Sequence, residues 1–146
     1  MAAAIDSFST MTEAELRHWV EENPGSVNAT DNDGFTPLCM TSCLSRPLAL
    51  LIWLIDEKGA DVNAPCSGKS LFPLHVAGNA AILTALLDRG ANPTSGGDEG
   101  VLPLMVHAID GKLDCIHRLL QEPRVLANID AQVVGNFLDG EGRLIE

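Results

Sequence analysis

Three of the four cysteines in this chain are close enough in the sequence to form a reactive site. Cys39 and Cys43 are four residues apart in a segment expected to be helical, and Cys66 lies in the loop region that follows. Thiolates bind zinc and undergo redox chemistry, so these side chains are a candidate metal or redox site. The chain has no Cys-x-x-Cys pair, however, and free cysteines are often small core residues. We expect structural cysteines and keep the thiol site as an alternative.

The other titratable residues do not form a catalytic pattern. Cys115 and His117 are two residues apart, so on a helix they point to different faces and cannot act as a nucleophile and its base. His107 is expected to be buried and hydrogen-bonded, with a pH-sensitive contact as the alternative interpretation. The glycine-rich segment 96–100 lacks the Lys-Ser/Thr pair of a phosphate-binding loop. We therefore expect no enzymatic activity, no cofactor and no bound metal.

Composition and charge argue against several classes of protein. The chain has 146 residues, of which 9 are basic and 20 acidic, giving a net charge of −11. Nucleic acid and anionic membrane surfaces are bound by basic patches, so neither is an expected partner. The longest apolar run, 48–55, is far shorter than the roughly 20 residues of a membrane-spanning helix. The start of the chain is a poor secretory signal, and the cysteine spacing fits a reducing compartment. We expect a monomer in the cytoplasm or nucleus.

Two landmarks recur along the chain and indicate the elements that position these residues. Pro-Leu pairs that enter apolar stretches have prolines 36 and 30 residues apart, at 37, 73 and 103. A short loop landmark follows each helical stretch at intervals of 35, 31 and 34 residues, ending at 28, 63, 94 and 128. Both landmarks have a mean period near 33, which is typical of an array of small units that stack on their neighbours.

The order of these landmarks resembles the ankyrin repeat, which has a period of about 33 residues and a Thr-Pro-Leu-His-x-Ala motif. Thr36–Leu38 matches the start of this motif, and Pro73–Ala77 matches the remainder. Lys58–Ala64 is similar to the loop that joins ankyrin repeats. The resemblance implies an all-α ankyrin-repeat solenoid of stacked helix-turn-helix units joined by β-hairpin-like loops. It would contain about three full repeats plus partial terminal units.

The repeat pattern divides the chain into a repeat domain at 12–130 and two terminal segments. Residues 1–11 are expected to be a tail or a short capping helix, and residues 131–146 a tail or the start of a further repeat. Within the domain we place a partial unit, a first full unit, a shortened second unit and a third unit at 12–30, 31–66, 67–96 and 97–130.

Local signals predict where several helices begin and end. Thr12 with Glu15 is a capping-box pattern, and Thr36 before Pro is placed to cap the next helix. Gly59 and Gly90 follow helices at positions that favour a left-handed residue.

The second helix of each unit carries an apolar stripe. In the third unit, Ile116, Leu119 and Leu120 are expected to form that stripe. Trp53 lies one position off the stripe of the first unit. It is expected to pack between neighbouring outer helices, with a second contact surface as the alternative.

Three departures from the repeat pattern are informative. The second unit is shorter than the first by about a helical turn around Gly78–Ala80, so its first helix should be abbreviated or irregular. The small ankyrin-type inhibitors of cyclin-dependent kinases resemble this chain in that feature. In the third unit Leu102 replaces the capping threonine and Met105 replaces the signature histidine, so helix starts there should be less firmly held. Cys39 also stands at the histidine position, which faces inward.

Partner contacts in the ankyrin family come from hairpin tips and from the exposed side of each first helix. The resemblance carries this role over to Asn32, Asp33, Phe35, Cys43, Leu44, Lys69, Leu71, Asn79, Asp98, Glu99, Val101, Ile109 and Asp110. These positions combine a row of apolar residues with acids, and Asp31 adds to the acids expected at the tips. A protein partner with a basic and apolar surface would complement them.

The leading expectation is a protein–protein interaction module, a scaffold or adaptor. An alternative is an inhibitor of a partner enzyme, such as a kinase, that uses the same surface. Two further alternatives are the thiol site described above and a substrate for an asparaginyl hydroxylase. The last would modify Asn28 and Asn63, which resemble the positions such enzymes modify in ankyrin repeats.

Overall fold

The structure is a computed structural model that describes residues 7–66, 71–94, 96 and 100–127. Lys69, Asp98 and Glu99 lie outside these ranges, as do the predicted segment 131–146 and the first six residues. The described residues are helical apart from their connecting loops. An isolated antiparallel bridge between Cys66 and Leu71 is the only β pairing among them. The expected all-α class is confirmed.

The helices follow one another in pairs, with a 3-10 turn at Phe8–Thr10 before the first helix. In chain order they are α1 (Glu13–Glu22), α2 (Pro37–Cys43), α3 (Leu48–Ile52), α4 (Pro73–Val76), α5 (Ala80–Asp88), α6 (Pro103–Asp110), α7 (Leu113–Leu120) and α8 (123–127). A π-helical turn, Trp53–Glu57, continues α3. We refer to α2 with α3, α4 with α5, and α6 with α7 as the first, second and third helix pairs.

The helix pairs stack so that their first helices form one layer and their second helices another. α4 contacts both α2 and α6, and α5 contacts both α3 and α7. Leu38 and Leu74 are buried in the first layer, and Leu54, Leu83 and Leu86 are buried in the second. The core is built mainly from aliphatic side chains, with the fully buried Phe8 as its aromatic member, and each pair buries apolar surface against its neighbours.

Side-chain caps form at the helix starts where the sequence predicts them. The Thr12 hydroxyl accepts from the backbone N–H of Glu15, and the Glu15 carboxylate accepts from the N–H of Thr12, each at 3.2 Å. The Thr36 hydroxyl accepts from the N–H of Cys39 at 3.2 Å. Within the described part of the chain no side chain caps α6, which begins after Leu102. A cap is worth about 1 kcal/mol, so the start of α6 is held less firmly.

The abbreviated helix of the second unit is confirmed. α4 has 4 residues, whereas α2 has 7 and α6 has 8. The chain leaves α4 at Ala77, and the N–H of Gly78 donates to the Ser42 carbonyl at 2.9 Å. A Cβ built on Gly78 would lie 1.8 Å from the Ser45 hydroxyl. Glycine therefore lets the shortened segment lie directly against the end of α2.

The outer layer follows its predicted pattern except in α7. Gly59 and Gly90 have φ angles of 75° and 93°, so both helix ends use the left-handed residue expected there. In α7 the buried residues are Cys115 and Leu119, whereas Leu120 is 37% exposed. The predicted stripe of α7 is therefore wrong at Leu120. Residues four apart share a helix face, and the face that packs inward in α7 is the one that contains Cys115.

Trp53 is half-buried beneath two cationic side chains. The Arg17 Cζ lies 4.8 Å and the Lys58 Nζ 5.3 Å from the centre of the indole ring. Cations over an aromatic face are attracted by its quadrupole. Because Arg17 belongs to α1, Trp53 links α1 to the first helix pair, which supports the packing interpretation of this residue.

Cys39 and Cys66 form a disulfide bond, whereas the sequence favours free core thiols. Their Cα atoms are 5.7 Å apart although 27 residues separate them in the sequence. The pairing is hidden in the sequence because only the stacking of the Cys66 loop on α2 brings the two residues together. Cys43 is a free, exposed thiol one turn along α2. Two of the three thiolates of the candidate metal site are thus absent in this state. Among the described residues, no group of three or more His, Cys, Asp or Glu side chains is arranged to hold a metal.

Candidate functional site

A ladder of asparagine hydrogen bonds sets the loops of successive units side by side. Asn28 Oδ1 accepts from the N–H of Asp61 at 2.8 Å, and Asn63 Oδ1 accepts from the N–H of Asn92 at 3.0 Å. The Asn63 amide also donates to the Gly90 carbonyl at 3.2 Å. The three partners are 33, 29 and 27 residues apart, close to the period of the sequence landmarks. The loops therefore form a row.

Two buried histidines join the second and third helix pairs. His75 Nδ1 accepts from the N–H of Phe72 at 3.1 Å, which leaves Nε2 to donate to the Val101 carbonyl at 2.7 Å. His107 Nε2 bonds to the Leu74 carbonyl at 2.8 Å, so His107 is buried and hydrogen-bonded as expected. Burial lowers the pKa of both imidazoles, because the charged ring is disfavoured away from water. Neutral rings thus link the two pairs at neutral pH.

The loop before α2 is shaped by the buried carboxylate of Asp31. Its Oδ1 accepts from the N–H groups of Asp33 and Phe35, each at 3.0 Å, and its Oδ2 accepts from the N–H of Phe8 at 2.9 Å. The prediction that Asp31 is one of the exposed acids at the hairpin tips is wrong. Three amide donors stabilise the carboxylate inside the fold. The signal that could have revealed this is the preference of aspartate for bonding the amide two residues later.

One position in the first helix of the first and second helix pairs links that helix to the loop that follows. Two residues after the helix-starting proline stand Cys39, His75 and Met105. Cys39 is bonded to Cys66, and His75 is hydrogen-bonded to Val101, so both reach the next loop. Met105 is 42% exposed. The three units therefore fill one structural position with a disulfide, an imidazole and an exposed thioether.

The structure describes ten of the thirteen predicted contact residues, and the other three are Lys69, Asp98 and Glu99. Seven of the ten are exposed, namely Asn32, Asp33, Cys43, Leu44, Asn79, Ile109 and Asp110. The remaining three are half-buried, namely Phe35, Leu71 and Val101. The seven exposed residues are accessible to a partner. The three half-buried apolar residues lie in loops, and their partial burial restricts the orientation of their side chains.

Asn79 and Val101 also have tasks within the fold. The Asn79 side chain accepts from the N–H of Ile82 at 2.9 Å and so caps α5. The carbonyl of Val101 accepts from His75. The structure thus uses Asn79 to start a helix, and its amide oxygen is already engaged.

The most exposed apolar side chain of the predicted set is Ile109, at the end of α6. It is 84% exposed, and Leu44 at the end of α2 is 46% exposed. Met105 and Leu113, which flank Ile109 along the chain, are also exposed, and this was not predicted from the sequence. The replacement of the signature histidine by Met105 was the available signal for the first of these.

A cavity of about 330 Å³ lies where α5 and α7 begin. It is lined by Asn79 and by Lys112, whose ammonium donates to the Ala77 carbonyl at 3.2 Å. Cys115 lines the same cavity, and burial raises the pKa of its thiol. His117 is exposed on the same helix, while Cys115 is buried, so the two occupy different faces. The thiol is therefore held in its neutral form without a base beside it.

No protein-family model matches this chain, and no curated protein matches it. In the part of the chain that the structure describes, no helix is both long and apolar enough to cross a lipid bilayer. The geometry of the described residues is therefore the basis on which a function is proposed.

Proposed function

We propose that this chain is an ankyrin-repeat solenoid that acts as a protein–protein interaction module, a scaffold or adaptor. Support for the repeat comes from the two helical layers and from loop-to-loop bonds that recur at 33 and 29 residues. Further support comes from the proline that starts α2, α4 and α6. Such stacks expose a continuous face that belongs to several units at once, which suits an extended partner.

The observation that carries the proposal is the exposed apolar side chain of Ile109 next to the exposed carboxylate of Asp110. A second exposed apolar side chain, Leu44, lies at the end of α2, and a further exposed acid, Asp33, lies in the loop before the start of that helix. Apolar anchors rimmed by acids favour a protein partner whose surface is basic and apolar. The compartment we propose is the cytoplasm or nucleus, and the active form a monomer.

The proposal is tested by comparing the proteins captured from cells by the full chain and by its Ile109→Asp variant. A matched control is Ala14→Asp, which makes the same kind of change at an exposed site on α1. Affinities of the captured proteins are then measured with purified components. Ile109→Asp should weaken binding by about tenfold or more, as removal of a central anchor does. Ala14→Asp should bind as the unaltered chain does.

Circular dichroism and thermal unfolding must show that both variants fold. Unchanged affinity of Ile109→Asp for every partner that Ala14→Asp retains would contradict the proposed surface. Asp33→Lys provides an independent check, because a basic partner should associate more slowly with it and the difference should shrink at high salt.

The second candidate, inhibition of a partner enzyme such as a kinase, is favoured by the observed brevity of α4. A four-residue first helix in the second unit is the feature in which the chain resembles ankyrin-type inhibitors of cyclin-dependent kinases. The two candidates differ in one measurement. An inhibitor lowers the catalytic rate of the captured enzyme in proportion to the fraction bound, whereas a scaffold leaves that rate unchanged.

A further inference from the structure

The disulfide occupies a position that the neighbouring helix pair fills with a hydrogen bond. Cys39 in α2 reaches Cys66 in the following loop, just as His75 in α4 reaches Val101. Cys66 and Cys39 are both buried, and the N–H of Cys66 donates to the Leu71 carbonyl across the loop. The disulfide therefore fixes the base of the loop that precedes α4 to α2.

We propose that Cys39 and Cys66 form a reversible redox clasp that couples the first helix pair to the second. Its oxidant is a low-molecular-weight disulfide of the glutathione class. The thiolate of one cysteine attacks this disulfide, forms a mixed disulfide and releases one small thiolate. The thiolate of the other cysteine then attacks the protein sulfur of the mixed disulfide and releases the second.

The exchange balances as a two-electron reaction. One sulfur–sulfur bond breaks in the small disulfide and one forms between Cys39 and Cys66. The two protons lost by the cysteines end on the two small thiols. Reduced small thiols open the clasp by the same steps in reverse.

Opening the clasp removes the covalent cross-link between Cys39 of α2 and Cys66 in the following loop. Near the bond, the Cys39 sulfur lies 4.0 Å from the Ala64 carbonyl. The packing of α2 on α4 and the hydrogen bond from the Gly78 N–H to the Ser42 carbonyl do not depend on the disulfide. The link between α4 and the third helix pair does not change, because His75 and Val101 contain no redox-active group. The clasp thus adjusts one junction of the stack and leaves the next one as it is.

Two observations make a reversible bond more fitting than a permanent one. The chain has an exposed free thiol, Cys43, on the same helix, which a protein matured in an oxidising compartment rarely carries. The spacing of the cysteines also fits a reducing compartment, where disulfides are transient and act in redox sensing. Cys43 is one turn from Cys39 on the same helix. Side chains four residues apart on a helix are farther apart than a disulfide can span, so Cys43 does not compete with Cys66 for Cys39.

The test equilibrates the full chain in mixtures of reduced and oxidised glutathione, followed by acid quenching, alkylation and peptide mass mapping. We expect the Cys39–Cys66 pair to pass from dithiol to disulfide in a single two-electron transition inside this series. Cys43→Ser should leave the transition unchanged, and Cys66→Ser should abolish the internally linked product. Hydrogen exchange of the amides at 64–66 and 71–76 should be about tenfold slower in the oxidised form, while 101–110 should be alike in both.

A pair that stays dithiol in the most oxidising mixture would overturn the proposal. So would a pair that stays disulfide in the most reducing one, which would make the bond a permanent structural element. Equal hydrogen exchange in the two forms would show that the bond does not couple the helix pairs, and would also overturn it. The measurements use no partner protein, so their outcome is independent of the proposed binding function.

Discussion

The junction between the first and second helix pairs and the junction between the second and third use the same structural position but different chemistry. At the first junction Cys39 is joined covalently to Cys66. At the second, His75 donates a hydrogen bond to Val101, and His107 returns one to Leu74. A covalent link responds to oxidants and reductants, whereas buried imidazoles respond to protons. The two junctions should therefore loosen under different conditions.

In the outer layer, too, the two junctions differ in the strength of their contacts. Arg89 makes two contacts with the Asp56 carboxylate, at 3.0 and 3.1 Å, across the first junction. The corresponding pair across the second junction, Arg118 and Asp88, is 4.0 Å apart. Exposed ion pairs contribute at most about 1 kcal/mol, so the inner links decide the difference. Stacked helix pairs therefore keep the same geometry, while the junctions differ in strength and in the conditions that loosen them.

Breaking the disulfide should have the largest effect on stability. Replacing Cys39 and Cys66 together by serine should lower the free energy of unfolding of the oxidised protein by about 3 kcal/mol, because the bond restricts the unfolded chain. Denaturant titration without reductant measures this loss. Cys43→Ser, at an exposed position on the same helix, should change stability by less than about 0.5 kcal/mol. A double variant as stable as the oxidised protein would show that the first junction does not depend on the bond.

The second junction should be broken by removing or protonating its histidines. His107→Ala should cost about 2 kcal/mol at neutral pH, because it leaves the buried Leu74 carbonyl without a donor and opens a cavity. Acid should weaken the same junction in the unaltered chain. Burial lowers the pKa of His75 and His107 in the fold, so the unfolded chain binds more protons than the folded one.

The resulting stability is fully present above the unfolded pKa of about 6.5 and is lost as the pH falls through the lowered folded pKa values. Lys112 lowers and Asp110 raises the pKa of His107, and the two imidazoles oppose each other's protonation. Unfolding measured between pH 5 and 8 should show this slope for the unaltered chain. A shallower slope is expected for the variant His75→Gln, and an identical slope would exclude His75 as a source of the pH dependence.

The helices and their period were predictable because their signals are local. Thr36 caps its helix through residues within one turn, and the prolines mark helix starts without reference to the rest of the fold. The brevity of α4 follows from counting residues between landmarks. Such features need only neighbours in the sequence, which is why the sequence predicts them.

The features that escaped prediction depend on stacking. Cys39 meets Cys66 only when a loop packs on α2, and the buried Asp31 accepts a hydrogen bond from the N–H of Phe8 in the distant 3-10 turn. Taken alone, the charged Asp31 favours an exposed position, and Cys39 favours a free thiol. The candidate surface was predicted in part. The exposure of Ile109 agrees with the repeat pattern, whereas the partner that contacts it is not determined by neighbouring residues in the sequence.

A smaller effect is expected where the second helix pair lies against the end of α2. Gly78→Ala should cost about 1–2 kcal/mol, because the new methyl group overlaps the Ser45 side chain and crowds the Ser42 carbonyl. Ser45→Ala removes the closest overlap, so the double variant should recover part of the loss. Thermal unfolding of the two single variants and the double variant gives the coupling energy. Full additivity would show that the chain accommodates the methyl group by moving elsewhere.

The asparagine ladder offers the finest comparison, because its two members differ by one hydrogen bond. Asn63 accepts from Asn92 and donates to Gly90, both in the loop that follows α5. Within the described part of the chain, Asn28 makes one such bond, to Asp61. An exposed hydrogen bond contributes about 0.5–1 kcal/mol, so Asn63→Ala should cost about 1 kcal/mol and Asn28→Ala about half as much. Denaturant titration of the two variants under oxidising conditions, where the disulfide keeps the loop in place, measures the ladder alone. Equal losses would mean that the bond to Gly90 adds nothing to the stability.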